Sequence, residues 1–192
     1  MSRAFAVFAS GGGRSVENLA LEIRAGRLDA RLGLVIADRP SAGVLERCQR
    51  LGLPHLLLDG KELGAAFSER AFAAVEAAGC ELVVLAGFLR LLALPARWRG
   101  RVINIHPSLL PAYGGHGFYG DRVHAAVLAA GDKVTGCTVH VVDEEYDRGQ
   151  ILLQREVEVR PGDTVAALAE RVFEEEKVAL PEAVRRMLAP FA

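Results

Sequence analysis

Residues 4–15 read Ala4-Phe5-Ala6-Val7-Phe8-Ala9-Ser10-Gly11-Gly12-Gly13-Arg14-Ser15. The first six are apolar without alternation, which is the signature of a strand buried on both faces. Three glycines follow. After Ser15, a suitable helix cap, Leu19, Ala20 and Ile23 recur at helical spacing. Strand, glycine turn and helix in that order make the opening half of a βαβ unit.

The same alternation continues outward. Apolar runs at Leu32–Ala37, Leu53–Leu58, Leu82–Ala86 and Val102–Ile105 predict four further strands. A helical stretch marked by Leu45 and Leu51 ends at Gly52, and an alanine-rich helix over Ala65–Ala78 is closed by Gly79. The pattern predicts an α/β fold, a Rossmann-like doubly wound and mostly parallel sheet. The second half differs. A helix is predicted over Asp121–Ala130, then strands over Thr135–Val142 and Gln150–Val159 with no helix between them, hence an antiparallel pair. A last helix starts at Thr164 and reaches Leu188 with a disturbance at Pro181. No repeat or linker interrupts residues 1–192, which read as one domain.

Bulk properties narrow the function classes. A formal net charge of -1 on 192 residues offers no basic surface for nucleic acid or membrane. No apolar stretch reaches membrane-spanning length and the N-terminus has no leader pattern, so the expected location is the cytoplasm. Cys48, Cys80 and Cys137 are scattered, as reduced thiols are, with no zinc spacing. His106, His116 and His140 fit no metal-ligand pattern either.

In a doubly wound sheet, ligands bind beyond the carboxyl ends of the strands. Two strand ends carry chemistry. Ser10–Ser15 lets a ligand approach the backbone, and free N–H groups at a helix start favour an anion; Arg14 adds a fixed charge. With Asp38 at the end of the second predicted strand, this half alone also fits a nicotinamide-dependent oxidoreductase, although Val16 stands where the GxGxxG fingerprint needs glycine. The fifth strand ends in Asn104-Ile105-His106-Pro107-Ser108-Leu109-Leu110-Pro111. Residues two apart on a strand share a face, so Asn104 and His106 point together. Asn104 offers an N–H to a developing oxyanion and His106 a tunable proton. Neither is a strong covalent nucleophile, so the pattern points to direct transfer to an external one.

The last helix carries an anomaly. Val165, Leu168, Val172 and Ala179 form an apolar stripe, and Glu176 falls within it. An unpaired buried carboxylate is costly, so Glu176 either meets a cation inside the protein or lines a polar pocket. Glu174 faces the opposite way. His124 is balanced between a substrate-facing and a packed role, and His140, alternating within a strand, reads as structural.

The chain resembles the phosphoribosylglycinamide formyltransferases, folate-dependent enzymes of de novo purine (IMP) synthesis. The resemblance rests on Ala9-Ser10-Gly11-Gly12-Gly13, Val83–Leu92, Asn104–Pro111, and Gly136-Cys137-Thr138-Val139-His140 leading to Asp147, in order over nearly the whole chain. It implies a formyltransferase fold. It also implies transfer of the formyl group of 10-formyltetrahydrofolate to the amine of glycinamide ribonucleotide, without a metal. On it, Asn104 stabilises the oxyanion, His106 polarises the formyl oxygen or shuttles protons, and Asp147 holds His106 and favours its protonated form; Asp143 competes for that last role. Gly12, Gly13, Arg14 and Ser15 would hold the acceptor's phosphate and Glu176 its amine. Folate would lie along Leu89, Arg90, Leu91 and Leu92, with Asn104, Val142 and Asp143.

Two features depart from the family. Arg14-Ser15 replaces its usual Ser-Asn or Thr-Asn, and the connection Ala112–Gly120 is longer than usual, as a lid or a subfamily insertion. Of the relatives, methionyl-tRNA formyltransferase would need an RNA-binding domain. A formyltetrahydrofolate deformylase would need an N-terminal domain, for which the start of strand one near Met1 leaves no room. A non-catalytic binding protein leaves Asn104, His106 and Asp147 unexplained. The partners expected are small molecules, and monomer and homodimer both stay open.

Overall fold

The computed structural model describes residues 2–189. Along the chain run β1 (Ala4–Ala9), α1 (Arg14–Arg24), β2 (Arg31–Ala37), α2 (Val44–Leu51), β3 (His55–Leu57), α3 (Gly60–Leu63), α4 (Phe67–Ala77), β4 (Leu82–Ala86) and β5 (Val102–His106). Then follow α5 (Asp121–Ala130), β6 (Val134–Val141), β7 (Ile151–Glu158) and α6 (Val165–Leu188). The strands form one sheet in the order β3-β2-β1-β4-β5-β6-β7. The first five are parallel; β6 and β7 are antiparallel to their neighbours. The fold is the expected mostly parallel α/β sheet with an antiparallel pair at its end.

β1 shows why its six residues are all apolar. Phe5, Val7 and Ala9 join the core under α1 and α6, with Val16, Leu19, Leu168 and Val172. Ala4, Ala6 and Phe8 join the core under α4, with Phe67, Phe72 and Val75. Alternate side chains of a strand reach opposite faces, and here both faces are covered.

Three local expectations are corrected. The strand expected over Leu53–Leu58 is only His55–Leu57, and its residues are exposed: β3 is the sheet edge, so it lacks a second cover. The helix expected over Ala65–Ala78 is α4 preceded by α3 and a 3-10 turn at Gly64–Ala66. Ser15 is not a cap. α1 begins two residues earlier, at Arg14 behind Gly13, which takes a left-handed φ of 76°, and no side chain caps it. Thr164 does cap α6, accepting from the Ala167 N–H at 3.1 Å.

α6 continues through Pro181, whose ring is buried. A proline inside a helix leaves the carbonyl four residues earlier without its N–H. That carbonyl belongs to Lys177, and it accepts from Asn18 Nδ2 of α1 at 2.9 Å. The proline defect thus becomes a clamp between α1 and α6, one residue beyond Glu176. No helix among the described residues is long and apolar enough to cross a membrane, and Cys48, Cys80 and Cys137 are free and buried.

Gly13 and Gly12 make a paired test. A Cβ on Gly13 would lie 2.5 Å from Val44 Cγ2 and would also hold a side chain at positive φ, whereas one on Gly12 would meet nothing within 4 Å. Gly13→Ala is expected to cost about 1–3 kcal/mol of stability, and Gly12→Ala less than about 1 kcal/mol, in chemical denaturation.

Candidate active site

After β3 the chain crosses back to place β4 on the other side of β1. A crevice opens at such a reversal, beyond the carboxyl ends of the two strands. The Ser10 N–H donates to Gly87 O at 3.0 Å, and Ser10 Oγ accepts from the Leu89 N–H at 3.1 Å. This bolts the glycine loop to the segment after β4. The crevice deepens into a cavity of about 540 Å³, lined by residues 11–15, 85–92, 104–107, 115–122 and 145–147, together with His124, His140, Val142, Ala169, Phe173 and Glu176.

Asn104, His106 and Asp147 come together at its floor. Asn104 Nδ2 donates to Asp147 Oδ1 at 3.2 Å. His106 Nδ1 lies 3.5 Å from Asp147 Oδ2. That same oxygen accepts from the Gly115 N–H at 2.9 Å. Asp147 reaches this position from a backbone with φ 56°. The turn closes at Gly149, where any Cβ would collide with the Val141 carbonyl. The loop can therefore fold back over β6 only with glycine there.

His106 is buried, and its Nε2 is 2.8 Å from Tyr113 O. A carbonyl only accepts, so Nε2 carries a hydrogen. Burial pushes the His106 pKa down. Asp147 and the Tyr113 carbonyl pull it up, as expected, but burial outweighs them and the net direction is downward. Asp147 thus favours the protonated ring, as expected, while burial sets the net direction. For Asp147 burial acts upward, and the neighbouring His140 and His106 rings with the Gly115 N–H together hold it below the usual carboxylate range.

His140 belongs to this cluster, contrary to its reading as a structural residue. It pairs with Asn104 across β5 and β6, and its Nε2 is 3.1 Å from Asn104 Nδ2 and 3.4 Å from Asp147 Oδ1. The Asn104 face could have revealed it, once β6 was recognised as the neighbour of β5.

At one end of the cavity lies the glycine loop. The carbonyls of Gly11 and Gly12 are held by Val44 N–H and Arg47 on the α2 side. The first-turn N–H groups of α1 have no intrahelical acceptor. Arg14 lies 3.8 Å over the Phe173 ring and donates to both Glu170 oxygens, at 2.6 and 2.7 Å. Among the three consecutive acids of α6, Glu174 pairs with Lys177 and Glu175 with Arg155, while Glu176 has no ion partner among the described residues. Glu176 instead lines the cavity, half-buried, and desolvation pushes its carboxyl up to about 7 against the field of Arg14.

At the other end, Leu89, Arg90, Leu91 and Leu92 line the cavity with Val142. Leu92 is buried, whereas Leu89 and Leu91 are 37% and 50% exposed, more than core leucines would be. Asp143 is not brought to the cavity wall; its carboxylate accepts from the Glu145 N–H within its own loop. Asp38 is likewise elsewhere, buried and held at 3.0 Å by Arg39. His124 lines the cavity from α5, buried, with no hydrogen bond to its Nδ1. Among the described residues no group of three or more His, Cys, Asp and Glu side chains is arranged to hold a metal.

The sequence profile of the formyl transferase family matches residues 3–184. Phosphoribosylglycinamide formyltransferase of Bacillus subtilis (strain 168) is 36% identical over 188 residues, which are 96% of this chain and 94% of that protein. The trifunctional purine biosynthetic protein adenosine-3 of Gallus gallus is 40% identical over 184 residues, 94% of this chain; the chain spans only 18% of that protein's length. The crystal structure of glycinamide ribonucleotide transformylase 1 from Symbiobacterium toebii superposes with a TM-score of 0.90 at 38% identity, covering 97% of this chain and 88% of that one. The chain belongs to the formyl transferase family.

Proposed function

We propose that the protein transfers the formyl group of 10-formyltetrahydrofolate to the amine of glycinamide ribonucleotide. The observation that carries this reading is the Asn104–His106–Asp147 cluster at the floor of a cavity with two chemically different ends. The glycine loop and Glu176 suit a phosphorylated amine. The exposed leucines of Leu89–Leu92 suit a flat, largely apolar ring system.

The amine attacks the formyl carbon directly. A carbon–nitrogen bond forms, the carbonyl oxygen becomes an oxyanion, and collapse breaks the bond to N10 of the folate. One proton leaves the amine and one arrives at N10. The Asn104 N–H now resting at a long 3.2 Å from Asp147 moves to the oxyanion, whose charge is concentrated on one oxygen instead of shared over two. His106 rests neutral because it is buried, with its Nδ1 facing Asp147. The formyl oxygen takes over the Nε2 hydrogen that Tyr113 O accepts. Glu176 receives the acceptor's amino group, and Gly12, Gly13, Arg14 and Ser15 its phosphate.

Purified protein is expected to release tetrahydrofolate from 10-formyltetrahydrofolate only when glycinamide ribonucleotide is added. Release without it would mark a hydrolase instead. His106→Ala and Asn104→Ala should each lower kcat by roughly 10²–10⁴-fold.

Glu176→Gln should raise KM for glycinamide ribonucleotide much more than KM for the folate; unchanged kinetics would contradict its assignment. Its stability has a defined pH dependence. The folded carboxyl titrates at about 7, and an unfolded glutamate near about 4.3. The folded state therefore binds the extra proton between those values, and stability falls as pH rises through the window. Glu176→Gln removes that fall. It should melt higher than wild type at about pH 8 and no higher at about pH 4 in thermal unfolding.

A further inference from the structure

The amide of Asn104 can donate to an oxyanion only if its NH₂ end, not its oxygen, faces the reacting carbon. The two ends of a carboxamide have nearly the same shape, so packing alone does not choose between them. Something with a defined lone pair must. We propose that His140 is the positioning residue that fixes this orientation, through a tautomer set by its own backbone; the assignment rests on the activity proposed above.

His140 Nδ1 is 2.9 Å from the carbonyl oxygen of Val141. That oxygen is an acceptor only, so Nδ1 carries the hydrogen. In a neutral imidazole the other nitrogen then carries a lone pair. Nε2 is that nitrogen, and it is nearer to Asn104 Nδ2, at 3.1 Å, than to Asp147 Oδ1, at 3.4 Å. It accepts one amide hydrogen. The second amide hydrogen faces Asp147 Oδ1 at 3.2 Å. The reversed amide would bring its oxygen against both the His140 lone pair and a carboxylate, two repulsive contacts in a buried place. His140 is 1% exposed, so water does not relieve them.

The two hydrogens thus have separate duties. One is anchored on His140 and sets the plane and the sense of the amide. The other is held by Asp147 until the oxyanion forms and is then released to it. The β5–β6 register enforces the arrangement, because Asn104 and His140 are directly paired residues of adjacent antiparallel strands. A one-residue slip would send His140 to the opposite face of the sheet.

The tautomer is measured without any assay of activity. In ¹⁵N-histidine spectra of the unliganded protein, assigned by comparison with His140→Gln, His140 should be protonated at Nδ1 and bare at Nε2. A hydrogen at Nε2 in the neutral ring would overturn the proposal even in an active enzyme. Kinetics give the second arm. His140→Leu keeps bulk but has no acceptor, and kcat should fall roughly 10–100-fold, as for other lost orienting partners, with both KM values nearly unchanged. His140→Gln offers a carbonyl oxygen and should recover most of that loss. Equal impairment of the two variants, or a His140→Leu enzyme with wild-type kcat, would overturn the positioning role. A wild-type protein with the Nδ1–H tautomer and no acceptor-dependent transfer would instead defeat the activity reading and leave the hydrogen-bond lock in place.

Discussion

A carboxylate whose side chain is only 10% exposed needs donors around it, and Asp147 gathers the whole reactive cluster for that reason. It draws in the Gly115 N–H and the Asn104 amide, and it stands within 3.5 Å of two imidazoles. Burial works against its ionisation, and these neighbours reverse the balance. The neighbours come from three separate parts of the chain: Asn104 and His106 from β5, His140 from β6, Gly115 from the connection to α5. One buried charge therefore ties together strand pairing, loop conformation and chemistry.

The rest of the fold delivers two further surfaces to that point. The reversal of strand order beside β1 opens the crevice, and the glycine loop and the segment after β4 form its rims. Gly13 is required where the loop turns into α1 against Val44. Pro181 breaks one hydrogen bond in α6, and Asn18 takes up the released Lys177 carbonyl. This joins α6 to the loop's own helix beside Glu176. The elevated pKa of Glu176 follows from a position in the cavity wall with no paired cation. A carboxylate left in that state is suited to a ligand that brings a positive charge.

Much of this was legible in the sequence because it depends on local periodicity. β1, β4 and α5 have the predicted bounds, since their apolar patterns and flanking glycines leave little choice. Asn104 and His106 share a face by strand geometry, and Glu176 stands out by its misfit with an apolar stripe. What was hidden depends on partners distant in sequence. β3 read as buried because its run of apolar residues does not reveal that it is the sheet edge. His140 read as structural because its role requires the β5–β6 register. The His106 pKa turned on burial, which the sequence does not display, rather than on Asp147, which it does. Ser15 is a good cap by type, but Gly13 had already started the helix.

The central claim is that Asp147 and Asn104 act on the formyl oxygen as one unit, through the hydrogen they share. A double-mutant cycle on kcat/KM for formyl transfer, using Asn104→Ala and Asp147→Asn, measures that directly. The predicted result is a double variant little worse than the poorer single one, with a coupling of at least about 1 kcal/mol. Losses that simply multiply would show two independent residues and contradict the account.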